Sequence, residues 1–178
     1  MKNKKKGILF WLTGLSGSGK TSLAKSLYSK INKYYGPTIV LSGDDIRSDF
    51  NLQGYDKNSR EKIGIMYSNF FKRILDQKIN IIFAGIVLIE NVRKYNREII
   101  PNYFEIYIKS NIHKVKKIKK TYKFKKNVVG LDIIPEFPKK PDIIINNNFK
   151  SSKNEIAKKI FNKILKKIPL SVQKFKKK

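Results

Sequence analysis

Eight consecutive residues, Gly14-Leu15-Ser16-Gly17-Ser18-Gly19-Lys20-Thr21, constrain this chain more than any other segment. They fit the pattern G-x-x-x-x-G-K-[ST] at each fixed position, between an apolar run and a helix-forming run. The spelling has a physical reason. Glycines let the backbone curl until its N–H groups converge on phosphate oxygens, and the start of the next helix adds positive dipole. Lys20 then reaches the β- and γ-phosphates, and the Thr21 hydroxyl is offered to Mg²⁺. The expected nucleotide-binding set is Gly14, Leu15, Ser16, Gly17, Ser18, Gly19, Lys20, Thr21 and Ser22, with ATP and Mg²⁺ as cofactors. A glycine-rich turn that happens to precede a lysine would lack both the complete pattern and its strand–helix setting.

The rest of the chain supplies a matching frame. Apolar runs at residues 7–13, 38–41, 80–84, 103–108 and 142–145 read as strands. Helical periodicity marks residues 20–33, 60–77, 92–100, 111–121 and 151–167. In the helix of 60–77, Ile63, Met66, Phe70, Ile74 and Leu75 are expected to face inward. In that of 151–167 the inward set is Ile156, Ile160, Ile164 and Leu165. Strands alternating with helices predict a three-layer α/β fold of the P-loop NTPase type, a mainly parallel sheet with helices on both faces. Ligands in such sheets bind beyond the carboxyl ends of the strands. Residues 43–59 and 123–141 read as irregular loops. One kinase domain over 1–178 is expected, with basic tails at 1–6 and 169–178 and a lid with an acceptor loop at 116–141.

Charge raises a competing class. Forty Lys and Arg against 13 Asp and Glu give +27, which favours polyanionic partners. Yet only five of the cations are arginine, and lysine travels with abundant isoleucine and asparagine, as AT-rich codons would produce. A basic nucleic-acid-binding protein is therefore the alternative class, and nucleotides the preferred anions. Cysteine is absent, which excludes disulfides, a thiol nucleophile and cysteine-ligated metal. No apolar run approaches the ~18–20 residues of a membrane span, so a cytoplasmic enzyme without membrane contact is expected. His113 reads as a solvated helix residue and Trp11 as core.

The second strand ends in Ser42-Gly43-Asp44-Asp45-Ile46-Arg47. A carboxylate there, at Asp44, can take a proton from an acceptor hydroxyl or hold a magnesium water. Arg47 can grip an anionic acceptor with its planar fork. The alternative is an Asp that caps the next helix beside a solvated Arg47.

Together these segments resemble the adenylylsulfate kinase family, whose usual spelling at the second strand end is D-G-D-x-x-R. Gly54-Tyr55 and Ser59-Arg60 look like its G-F and D-R, and Arg93 and Arg97 keep the spacing of its arginine-rich helix. Gly130-Leu131-Asp132, Glu136, Pro138 and Pro141 resemble its G-I-D-x-x-x-E-x-P-x-x-P loop. The resemblance spans residues 9–145. It implies transfer of the ATP γ-phosphoryl group to the 3′-hydroxyl of adenylyl sulfate. Lys20 and Asp44 would be catalytic, and Thr21 and Asp44 would serve the metal. Asp44, Arg47, Tyr55, Arg60, Lys123, Val128 and Asp132 would bind the acceptor. A homodimer is compatible with the family.

The departures cluster on the acceptor side. Ser42 replaces the first Asp of D-G-D, Ile63 stands where the family has Asn, and Val128 where an aromatic closes on adenine. Residues 86–90, Ile-Val-Leu-Ile-Glu, replace I-S-P-[YF]-R, so Val87 stands where some members carry a serine. The lid carries Lys116, Lys117, Lys119, Lys120, Tyr122 and Lys123 in place of the family's R-D and L-Y-K-K-A-R. An intact donor half beside an edited acceptor half admits another nucleotide-linked acceptor, such as cytidine diphosphoramidate in capsule modification. A non-nucleotide metabolite, which needs no Tyr55 near a base, is a third reading.

Overall fold

A computed structural model of the protein describes residues 6–118, 122 and 126–169. The tails at 1–5 and 170–178, and Lys119, Lys120 and Lys123 of the expected lid, lie outside the described residues. The strands are β1 (Leu9–Thr13), β2 (Thr38–Ser42), β3 (Asn80–Gly85), β4 (Tyr103–Lys109) and β5 (Ile143–Asn146). The helices are α1 (Lys20–Tyr35), α2 (Gly43–Asp49), α3 (Lys57–Asp76), α4 (Glu90–Ile99), α5 (Ile112–Ile118) and α6 (Lys153–Lys167). Every strand pairing is parallel, in the order β2-β3-β1-β4-β5. This is the α/β sheet, with helices on both faces, that the alternation of elements predicts.

Strand β1 lies at the centre, with Trp11 level with Phe83 of β3 on one side and Glu105 of β4 on the other. All five of its residues are buried, as a strand covered on both faces requires. Alternate side chains feed two cores. Phe10 and Leu12 pack with Leu27 of α1 and Ile160 of α6 on one face. Leu9 and Trp11 pack with Phe71 of α3 and Val92 of α4 on the other. Trp11 is wholly buried and His113 is exposed, as the sequence predicts.

Two expectations are corrected. Residues 43–49 form α2 rather than loop, because the Ser42 hydroxyl accepts from the Asp45 N–H (3.2 Å) and two acidic residues occupy the first turn. Ile46 fixes this short helix to the core. Helix α3 also starts at Lys57, capped by Asp56; Ile63, Ile74 and Leu75 pack on the core as expected, but between them the inner face is turned by one residue. Met66 and Phe70 are exposed, while Tyr67 and Phe71 are buried. Gly64 sets that phase. A Cβ there would stand 2.8 Å from Val92, so the missing side chain lets α3 close on α4.

Candidate active site

The phosphate loop leaves β1 through Gly14, where a Cβ would lie 2.4 Å from the Ile108 carbonyl oxygen. Gly19, left-handed at φ 93°, opens α1 without a side-chain cap, so the first-turn N–H groups are left for a ligand. The buried Lys20 ammonium donates to the Leu15 carbonyl (2.7 Å) and to Ser18 Oγ (3.4 Å). Asn147, just past β5, braces the loop by donating to the Ser18 carbonyl (3.0 Å). The Tyr122 hydroxyl donates to the Ser16 carbonyl (3.1 Å). Thr21 and Ser22 are exposed on the first turn of α1.

Beside the loop is a cavity of about 420 Å³, walled by Ser16 and by residues from the ends of β2 and β3. It brings together five expected residues: Asp44, Arg47, Tyr55, Arg60 and Val128. Asp44 stands in the first turn of α2. Arg47 Nη1 donates to the Leu52 and Gly54 carbonyls (3.1 and 3.0 Å), and its guanidinium lies 4.6 Å from the Tyr55 ring centre. Arg60 Nε donates to the Tyr55 carbonyl (2.6 Å), Nη2 to the Asn127 carbonyl (3.0 Å), and its guanidinium lies 5.5 Å from the same ring. Both arginines thus shape the loop that carries Tyr55, besides placing charge in the cavity. Burial, then repulsion from Arg47, holds the Arg60 pKa below its ordinary value.

Asp132 is placed differently. It is exposed and outside the cavity wall, and its Oδ2 accepts from the Val128 N–H (2.8 Å), folding the turn that positions Val128. Arg93 and Arg97 face away from the cavity and pair with the buried Glu105 of β4 (3.3 and 2.7 Å). Burial raises the Glu105 pKa against the pull of both arginines.

The wall also holds Ile86 and Val87 of the altered segment 86–90, Lys126, Asn127 and Val129 of the expected lid and acceptor loop, and Tyr67, to which the sequence analysis assigns no role. Ile86 and Val87 follow β3 directly, at a strand end like those of β1 and β2. Tyr67 was hidden by the one-residue error in the phase of α3. Its hydroxyl donates to the Gly43 carbonyl (3.3 Å), and burial lifts its pKa to about 12.

A tie outside the cavity holds its rim. Glu136 Oε2 accepts from the Glu90 N–H (2.6 Å) at the start of α4, where Ile89 offers no side-chain cap. Its Oε1 pairs with Lys57 (2.7 Å) at the start of α3, and its N–H donates to the Leu88 carbonyl (2.9 Å). The Glu90 N–H, then Lys57, hold the Glu136 pKa below its ordinary value.

A phosphate loop on the central strand, beside a cavity that holds a carboxylate and two guanidiniums, defines an ATP-dependent phosphotransferase of P-loop kinase fold. The sequence model of the adenylylsulphate kinase family matches residues 6–146. The cytidine diphosphoramidate kinase of Campylobacter jejuni is 34% identical over 169 residues, 90% of this chain and 98% of that protein. An adenylyl-sulfate kinase of Buchnera aphidicola is 32% identical over 173 residues, 89% of this chain and 80% of that protein. The Mycobacterium tuberculosis APS kinase in complex with AMPPNP and APS superposes with a TM-score of 0.79 at 22% identity, covering 89% of this chain and 98% of that one. The chain belongs to the adenylylsulphate kinase family.

Proposed function

We propose that this kinase transfers the γ-phosphoryl group of ATP to the 3′-hydroxyl of a nucleotide whose terminal group is anionic, and that this nucleotide is cytidine diphosphoramidate. The carrying observation is a cavity walled both by Ser16 of the phosphate loop and by Asp44, Arg47, Arg60 and Tyr55. In this reading the Asp44 carboxylate takes the proton of the attacking hydroxyl. Lys20 turns its ammonium from the Leu15 carbonyl to the β- and γ-phosphates. The guanidiniums hold the acceptor's anionic group, and Tyr55 lies against its base. Val128 covers the base, and Lys123 contributes charge as the lid closes. Asp132 acts through the Val128 turn that it folds.

The site suits Mg²⁺ by the chemistry of its donors. The Thr21 hydroxyl and Asp44 carboxylate are hard oxygens, and nucleotide phosphates complete such a shell. Among the described residues no cluster of three or more His, Asp or Glu forms a metal site of its own, so the ion would arrive with ATP. When bound it supplies positive charge across the β- and γ-phosphates. Use of ATP as donor is consistent with a cytoplasmic setting.

Two observations favour cytidine diphosphoramidate over adenylyl sulfate. The identity to the Campylobacter enzyme runs through 98% of that protein. The cavity wall also carries the aliphatic Val128 where the family has an aromatic that closes on adenine, a smaller stacking surface that suits a single-ring base. Adenylyl sulfate is the second reading, favoured by the family match over residues 6–146. Transfer of ³²P from ATP is to be measured with both acceptors. We expect kcat/KM for cytidine diphosphoramidate to exceed that for adenylyl sulfate by about tenfold or more. The reverse order selects the second reading, and no transfer to either removes both.

A further inference from the structure

Tyr67 is the cavity residue whose chemistry the reading above leaves unused. It projects from the middle of α3 and is 3% exposed. Its ring is fixed on two sides, stacked on Phe71 at 5.9 Å between centroids and tilted against Phe83 at 5.5 Å. Its hydroxyl is therefore held in place by the core and not by a flexible stem. That hydroxyl meets the carbonyl of Gly43, the residue bonded to Asp44, and both Gly43 and Asp44 wall the same cavity. The charges of Arg47 and Asp44 both act on it, so it stands where the carboxylate and the guanidinium converge.

The hydrogen-bond count decides what Tyr67 can recognise. Its proton is directed to the Gly43 carbonyl at 3.3 Å, a long bond for a hydroxyl donor. The oxygen's lone pairs are left over, and a tyrosine oxygen accepts as well as donates. A group that satisfies those lone pairs must carry a proton. A phosphate or sulfate oxygen does not, and the nearby arginines suit such anions better. A ribose hydroxyl does, as does an amino or phosphoramidate N–H, and the 2′-deoxy comparison below separates the first from the others. Asp44 is the residue placed to hold the reacting 3′-oxygen, and the hydroxyl on the adjoining carbon is the 2′.

We propose that Tyr67 is a specificity-determining residue that accepts a hydrogen bond from the 2′-hydroxyl of the acceptor ribose. The enzyme then selects ribonucleotide acceptors over their 2′-deoxy counterparts. The inference rests on the nucleotide-acceptor reading and deepens it. Tyr67 also packs beneath Gly43, so loss of activity on mutation would not by itself separate recognition from support. The substrate side separates them.

The experiment measures kcat/KM with the ribose and 2′-deoxyribose forms of whichever acceptor is turned over, using the full chain and its Tyr67→Phe variant. The wild type is expected to favour the ribose form by about tenfold, the worth of one neutral hydrogen bond lost. Tyr67→Phe is expected to lose about that factor on the ribose form and to change by less than about twofold on the 2′-deoxy form, so its preference vanishes. Equal losses on both forms would make Tyr67 a support residue and overturn the inference, leaving the kinase reading intact. A wild type that treats the two forms alike overturns it without recourse to the variant. A wild type that phosphorylates no nucleotide removes the nucleotide reading and this inference with it.

Discussion

Glu136 is the residue whose removal tests how the cavity is held open. One carboxylate caps α4 through the Glu90 N–H, pairs with Lys57 at the head of α3, and lies in a segment whose backbone bonds Leu88. Three chain segments around the cavity therefore meet at one side chain. The cap is a charge-assisted hydrogen bond of 2.6 Å. Such bonds are worth about 1.5–3 kcal/mol, and loss of a helix cap costs about 0.5–2 kcal/mol. The ion pair is half exposed at Lys57, and exposed pairs contribute about 0.2–1 kcal/mol. Glu136→Ala is thus expected to destabilise by about 2 kcal/mol, of which Glu136→Gln, which keeps an acceptor for the cap, restores about half. At this chain length 1 kcal/mol moves Tm by about 2–4 °C, so the alanine variant should melt about 4–8 °C lower.

Acid titration supplies an independent sign. The Glu136 pKa is lowered in the folded protein from an ordinary value of 4.5. Its contribution is therefore complete above that value and is lost as pH falls through the lower folded one. As pH falls below 4.5 the wild type should approach Glu136→Gln in Tm, because a protonated carboxyl keeps a neutral acceptor as the amide does. Calorimetry of the three proteins across pH reads both effects. If the glutamine and alanine variants melt together at neutral pH, or if the gap between wild type and Glu136→Gln survives full protonation, the cap-and-pair account of Glu136 is wrong.

Other substitutions test the donor side and the core. Asp44→Asn should lower kcat by about 10²–10⁴ in steady-state phosphoryl transfer, with a much smaller change in the KM for ATP. Equal changes in both would place Asp44 in binding rather than chemistry. Lys20→Ala should abolish detectable transfer, read by ³²P transfer from ATP, because the ammonium that would meet the β- and γ-phosphates is removed. Gly14→Ala should destabilise by more than about 2 kcal/mol, since its Cβ would press on the Ile108 carbonyl in the backbone of β4. Phe71→Ala should cost about 3–5 kcal/mol in denaturant unfolding, because the ring is wholly buried between α3 and the sheet.

What could be read in the sequence follows how local its physics is. The phosphate loop needs eight contiguous residues, and the buried strand and helix beside it obey short-range rules. The loop and its neighbours therefore took the expected form, with α1 closing only at Tyr35. Helix α2 escaped notice because it spans only two turns and rests on one serine cap. The phase of α3 escaped because Met66 and Phe70 satisfy the same 3.6-residue spacing as Tyr67 and Phe71, shifted by one place. Only the fit of Gly64 against Val92, a contact between separate helices, chooses between them. Glu136 carries a sequence signal but not its partner, since the Glu90 N–H, distant in the chain, cannot be read from spacing. Arg93 and Arg97 show the reverse case, where a spacing suggestive of function leads to a buried carboxylate.

Ser16 of the phosphate loop and Asp44 beneath the second strand end wall one continuous cavity. The cavity that would take the entering nucleotide thus reaches the phosphate loop that would hold the leaving one. A single molecule carrying two nucleoside heads on a polyphosphate bridge would therefore lie across the whole site. Its second head would bind at an effective concentration in roughly the millimolar range, without diffusing in separately. The first head would meet a loop common to many ATP users. The second would meet Ile63, Tyr67 and Val128, and discrimination among such enzymes would come from that end.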